Sequence, residues 1–166
     1  MKLLHTADWH LGAGMSSARD RAAEARAARF HAAERVAELA REHEVELVLV
    51  AGDFFHDHDV DDGVVQRALE VLERMAPTPV LLIPGNHDMH GPGGVWERGS
   101  WRPPEHVRLL LEGEAVEVAG ALVYPCPITQ KRSRRDPTAW IPPRTEEEAE
   151  VVRIGLAHGG LEVGGW

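Results

Sequence analysis

The sequence predicts an α/β fold built on a mostly parallel sheet, and three observations carry that expectation. Apolar runs of strand length alternate with amphipathic stretches of helix length in the order β-α-β-α-β. The run at 45–51, VELVLVA, is nearly continuous in apolar residues, as a parallel strand covered on both faces must be. Polar clusters follow the ends of successive strands, and ligand sites of open α/β sheets form along that edge.

The elements follow in order. Lys2 to His5 is short and apolar between polar flanks, which reads as a buried strand. From Ser16 to Glu44, Phe30, Ala33, Val36, Ala37, Leu39 and Ala40 recur at helical spacing, with Ser16 or Ser17 placed to cap the start. Val45 to Ala51 is the second strand. Gly63 to Ala76 is a second amphipathic helix, stopped by Pro77, and Pro79 to Ile83 is the third strand. Pro84 to Pro104 is a long loop rich in Gly, Pro, Trp and Arg, and loops of that length are usually functional or mobile. Val107 to Leu111, Ala115 to Val118 and Ala121 to Tyr124 read as shorter strands, the last two joined by a tight Ala119-Gly120 turn. Pro125 to Pro143 is irregular, Thr145 to Val151 reads as a short helix, and Val152 to Ala157 is a final strand.

At 166 residues the chain is one domain, or a piece of a larger one. Its 43% apolar and 27% charged residues exclude disorder and coiled coil. No apolar run approaches the roughly 18 residues of a membrane helix, and the N-terminus does not read as a signal peptide. A single cysteine, Cys126, cannot form an internal disulfide, so a reducing cytoplasm is the expected compartment. A net charge of -9 argues against indiscriminate nucleic-acid binding. It does not exclude a nucleic-acid enzyme, because carboxylates that hold cations reverse the local field.

The polar clusters are Asp8-Trp9-His10, Gly52-Asp53 with His56, Asn86-His87-Asp88, and His158, each just past a predicted strand. On one sheet edge they would converge. Their donors are oxygen and imidazole without thiolate, a set suited to Mn, Fe, Zn or a mixed pair rather than a structural zinc. An Asp shared by two cations, flanked by Asp/His and by Asn/His, describes a two-metal hydrolytic site. Two cations roughly 3.5–4 Å apart activate a water and clamp both oxygens of an in-line phosphoryl displacement.

HTADWHLG, LVLVAGDFFH, PVLLIPGNHD and GLAHGG resemble the motifs of the calcineurin-like metallophosphoesterases. More narrowly they resemble the SbcD-type DNA repair exonucleases, which work as the nuclease component of the SbcCD complex. The likeness runs from residue 1 to about 90, thins across the middle and returns at His158. It implies a layered sandwich of two sheets flanked by helices across 1–166. It also implies metal-dependent phosphodiester hydrolysis on DNA, exonuclease or endonuclease. Two divalent ions are implied, Mn²⁺ first and Fe, Zn or Mg otherwise. The implied partners are DNA, an SbcC-type ATPase and a second copy in a homodimer. By position, Asp8 and His10 would bind the first metal, Asp53 would bridge, and Asn86 and His158 would bind the second. His87 would face the scissile phosphate as stabiliser or proton donor, with Asp88 as its orienting partner. His56 falls where these nucleases carry a histidine that helps place the DNA strand. The Gly-His-X-His element that closes the family's site has no counterpart before Trp166, so the chain is expected to be an N-terminal part of the domain.

Other residues have plainer readings. Lys131, Arg132, Arg134 and Arg135 form a solvated loop by default, and a phosphate-binding one in a nuclease. Trp96, Trp101 and Trp140 either stack on unpaired bases or pin long loops to the core. His58 and His90 read as loop histidines, and His5, His31, His43 and His106 as structural or surface. Two rivals to the nuclease stand: a phosphoesterase of small molecules or cyclic nucleotides, and a binding protein that keeps the fold without catalysis.

Overall fold

The computed structural model describes residues 1–14, 19–130 and 135–160. Strands β1 (Leu3–Thr6), β2 (Leu47–Ala51), β3 (Val80–Ile83) and β4 (Val107–Leu109) form a parallel sheet in sequence order. Strands β5 (Val116–Val118), β6 (Ala121–Cys126) and β7 (Val152–Ala157) form a second, mixed sheet. Helix α1 (Arg19–Glu42) follows β1, and α2 (Asp62–Glu73) follows β2. No helix among the described residues is long and apolar enough to cross a membrane.

Period-two alternation divides the first sheet into two faces. Val48, Val50, Val80, Leu82 and Val107 pack with Phe30, Ala33, Ala37 and Ala40 of α1 and Val65, Ala68, Val71 and Leu72 of α2. Leu47, Leu49, Ala51, Leu81 and Ile83 face the second sheet and meet Val123 and Leu156. The layers therefore run helices, sheet, sheet, with both helices on one face of the first sheet. This is the expected α/β sandwich, and β2 and β3 are buried at every residue.

Local chemistry sets the ends of the elements. At the end of α1, Glu44 takes a positive φ of 50°. The Val45 N–H then donates to the Ala40 carbonyl, closing the helix as such a residue does. Ala119 and Gly120, with φ of 47° and 76°, make the tight turn between β5 and β6. The Ser16 and Ser17 cap lies outside the described residues.

Three expectations need correction. The first strand is not buried: β1 lies at the edge of the sheet, and Leu3 is 41% exposed. The last strand does not extend the first sheet but pairs in parallel with β6 in the second. Residues 145–151 are turns and not a helix, held by Thr145–Glu148, Glu146–Ala149 and Glu148–Val151 hydrogen bonds. So short a segment, carrying Glu146, Glu147, Glu148 and Glu150, cannot offset the cost of helix nucleation.

Candidate metal centre

The loops after β1 and β2 run side by side and are laced by main-chain hydrogen bonds. Asp8 N donates to Gly52 O at 3.1 Å, His10 N to Asp53 O at 2.9 Å, and Leu11 N to Phe54 O at 2.9 Å. His56 N returns to Leu11 O at 2.9 Å, and Leu11 and Phe55 form a parallel bridge. Beneath the loops, Trp9, Phe54, Phe55, Trp96 and Trp101 pack ring against ring in the core. Trp96 and Trp101 therefore anchor the long loop, and Trp140 packs beside Tyr124. The backbone bends sharply to aim the polar side chains: Asp8, His10 and Asp53 have φ of 56°, 47° and 52°. Asp and His enter this left-handed region more readily than most residues.

Asp53 lies at the centre, with its side chain only 4% exposed. Its Oδ1 accepts the His87 N–H at 2.9 Å, and its Oδ2 stands 3.7 Å from His10 Nε2 and 3.5 Å from His158 Nε2. Asp8 Oδ1 is 3.7 Å from the same His10 nitrogen. Gly85 makes this approach possible, since a Cβ there would sit 2.1 Å from Asp53 Oδ1 and 2.3 Å from Asp53 N. A Cβ at Gly52, whose φ is 84°, would meet the His158 ring at 2.5 Å.

The hydrogen bonds of His158 bear on what the centre can hold. Its Nδ1–H donates to the Ala51 carbonyl at 2.7 Å, so in the neutral ring Nε2 carries a lone pair. That lone pair faces Asn86 Oδ1 at 3.1 Å and Asp53 Oδ2 at 3.5 Å. Three acceptors converge with no donor between them, and a divalent cation satisfies such a set. Asp8, His10 and Asp53 likewise bring one ligand atom each within 4.8 Å of one another. The donors fit a divalent metal that accepts oxygen and imidazole. Burial holds the His10 pKa down, and His87 and His56 add to this, while Asp53 and Asp8 pull it up. A neutral imidazole is the form that binds metal.

His87 is held by its Nδ1–H, which donates to the His56 carbonyl at 3.0 Å and leaves Nε2 for the pocket. Asp88 is not its orienting partner. The Asp88 carboxylate is fully buried and accepts from Phe55 N at 2.9 Å and Gly85 N at 2.7 Å, while Trp96 Nε1–H donates to the Asp88 carbonyl. Asp88 therefore ties the loop after β3 to the loop after β2. Burial pushes its carboxyl up to about 6, against the pull of the main-chain N–H groups it accepts from.

All five expected metal ligands and His87 line one cavity of about 460 Å³. His56 sits at its side, its ring stacked on His87 with centroids 5.5 Å apart. His158 arrives from the second sheet, so two sheet edges and not one converge on the site. His5 also lines the cavity, although its sequence reads as surface or structural. The signal was available: alternation along β1 places His5 on the face opposite Leu4, the face that continues towards Ala7 and Asp8. Lys131, Arg132 and Arg134 lie outside the described residues, and Arg135 is exposed.

The family model for calcineurin-like phosphoesterases matches residues 1–163. Among curated proteins, the chain is 27% identical over 139 residues to the SbcD component of the nuclease SbcCD of Bacillus subtilis (strain 168). That match covers 75% of this chain and 34% of the relative, so the chain spans about a third of the relative's length.

Proposed function

The chain belongs to the calcineurin-like phosphoesterase family, and from that premise we propose that it hydrolyses phosphodiester bonds of DNA with two divalent cations. The observation that carries this reading is the convergence of acceptors on Asp53: His158 Nε2 and Asn86 Oδ1 on one side, His10 and Asp8 on the other. Asp8, His10 and Asp53 would hold one cation, and Asn86 and His158 with Asp53 the other, with Mn²⁺ as the preferred ion. Such a pair supplies an activated water and neutralises charge on the phosphate oxygens.

The chain's own residues do the rest. The His87 Nδ1–H bond to the His56 carbonyl turns Nε2 towards the cavity. An N–H at that atom would donate to a non-bridging phosphate oxygen and to the departing 3′-oxygen. His56, stacked on His87, positions the DNA strand beside it. Asp88 is a positioning residue that fixes the spacing of the two loops. The basic segment Lys131, Arg132, Arg134 and Arg135 contacts backbone phosphates. The relative's name supports a nuclease working as one part of a complex; an SbcC-type ATPase partner, a homodimer and a cytoplasmic location belong to the proposal on the resemblance alone.

The cavity volume of about 460 Å³ also suits a mononucleotide or cyclic nucleotide, which keeps a small-molecule phosphoesterase as the second reading. The full natural chain, assayed with Mn²⁺, decides between them. Cleavage of linear DNA, lost in His87→Ala, is expected. A preference for cyclic nucleotides or bis-p-nitrophenyl phosphate over DNA would overturn the DNA assignment. Undiminished cleavage by His87→Ala would overturn the role of His87.

A further inference from the structure

We propose that His10, His56 and His87 form an all-imidazole site for a zinc-like divalent cation, overlapping the carboxylate-rich set through His10. One ring nitrogen of each lies within 4.8 Å of the other two. The rings lie against one another: His10 and His87 have centroids 4.8 Å apart at 87°, His10 and His56 5.6 Å apart at 73°, and His56 and His87 are stacked 5.5 Å apart at 20°. In a tetrahedral zinc site, nitrogen donors at about 2.0–2.1 Å from the metal stand roughly 3.3 Å from each other. Loading the site therefore calls for rotation of these half-buried rings towards one another.

Hydrogen bonding leaves the rings available. His10 Nδ1 and His56 Nδ1 are buried and make no hydrogen bond among the described residues. His87 spends its Nδ1–H on the His56 carbonyl, the arrangement in which a ligating histidine is usually held. Its Nε2 is then the electron-pair donor.

The two overlapping sets differ in chemistry. Asp8, His10 and Asp53 offer two carboxylates and one imidazole, with the Asn86 and Asp53 oxygens beside them, and oxygen-rich sets suit Mn²⁺ and Mg²⁺. Three neutral imidazoles suit Zn²⁺, Ni²⁺ or Cu²⁺. Because His10 belongs to both, one pocket can be loaded in two ways. A zinc-like ion on the three imidazoles places a second positive charge against the first set through the His10 ring and occupies His87. Zinc would then inhibit the reaction that Mn²⁺ supports. That inhibitory consequence rests on the phosphodiesterase reading, whereas binding at the three imidazoles does not.

The test is a titration of the metal-free full chain with Co²⁺ as spectroscopic probe and Zn²⁺ as competitor, with circular dichroism to establish folding. The parent should show the visible bands of four-coordinate cobalt, erased by stoichiometric Zn²⁺. His56→Ala and the more conservative His56→Gln should weaken Zn²⁺ binding at least about tenfold, since even a lost outer partner of a ligand does so. Asp8→Asn should leave it largely intact. Folded His56 variants that bind Zn²⁺ as tightly as the parent would overturn the proposal. So would an Asp8→Asn variant that loses Zn²⁺ as fully as His56→Ala. In a second arm, one equivalent of Zn²⁺ should suppress Mn²⁺-supported hydrolysis by the parent. If the parent hydrolyses nothing with any cation, the phosphodiesterase reading fails while the titration still decides the imidazole site.

Discussion

Replacing Gly85 by alanine should disable the centre without touching any ligand. The new methyl carbon would sit 2.1 Å from Asp53 Oδ1 and 2.3 Å from Asp53 N. Carbon atoms in contact rest about 3.5–4.0 Å apart, so the two chains must separate by about 1 Å or more. One of the clashing atoms is main chain, so rotation of a side chain cannot relieve it. Overpacking of a filled interior costs about 1–3 kcal/mol. Asp53 also receives the His87 N–H and faces His10 and His158, so its displacement spreads through the site. A misplacement of about 1 Å costs about 100-fold in rate. Gly63→Ala is the matched control: nothing lies within 4 Å of its added carbon, and it stands in the first turn of α2. It should stabilise the chain by about 0.4–1 kcal/mol. Urea unfolding and Mn²⁺ calorimetry on both variants, with hydrolysis of bis-p-nitrophenyl phosphate, give the comparison. If Gly85→Ala unfolds at the parent's midpoint and binds Mn²⁺ with the parent's affinity, the close approach of the two loops is not what fixes Asp53.

Further outcomes follow from the same geometry. Asp88→Ala leaves the buried Phe55 and Gly85 N–H groups without their acceptor and should lose up to about 2–6 kcal/mol in urea unfolding, at about 1–3 per orphaned donor. Part of that loss is returned by removing a carboxyl that burial disfavours. Mn²⁺ at 100 times its dissociation constant should stabilise the chain by about 2.7 kcal/mol, read as a rise in Tm that EDTA reverses, and Asp53→Ala should abolish the rise.

The fold was legible where local pattern alone decides. Leu47 to Ala51 and Val80 to Ile83 are apolar at every position because both faces of β2 and β3 are covered. Phe30, Ala33, Ala37 and Ala40 mark the buried face of α1 at helical spacing. What failed depends on the order of strands in space. Leu3 is as apolar as its neighbours in β2, yet β1 took the edge, and no pattern within LLHT reports that. The motif of His158 showed that it follows a strand but not which sheet that strand joins. For Asp88, adjacency to His87 suggested partnership. The turn at Pro84-Gly85 instead sends its side chain inward to main-chain donors from another loop. His5 was discounted although alternation along β1 already placed it on the face that leads to the cavity.

The left-handed backbone at Asp8 has an evolutionary consequence. With φ of 56° and a side chain 60% exposed, Asp8 holds a conformation that glycine adopts without steric penalty, and its carboxylate is not needed to fill space. Asp8→Gly should therefore leave the protein as stable as the parent, or stabilise it by up to about 1–2 kcal/mol, while weakening its hold on the cation. A screen for thermostability alone, blind to metal, would drift towards glycine at this position. Under the proposed metal role, the demands of chemistry and of stability pull in opposite directions at Asp8.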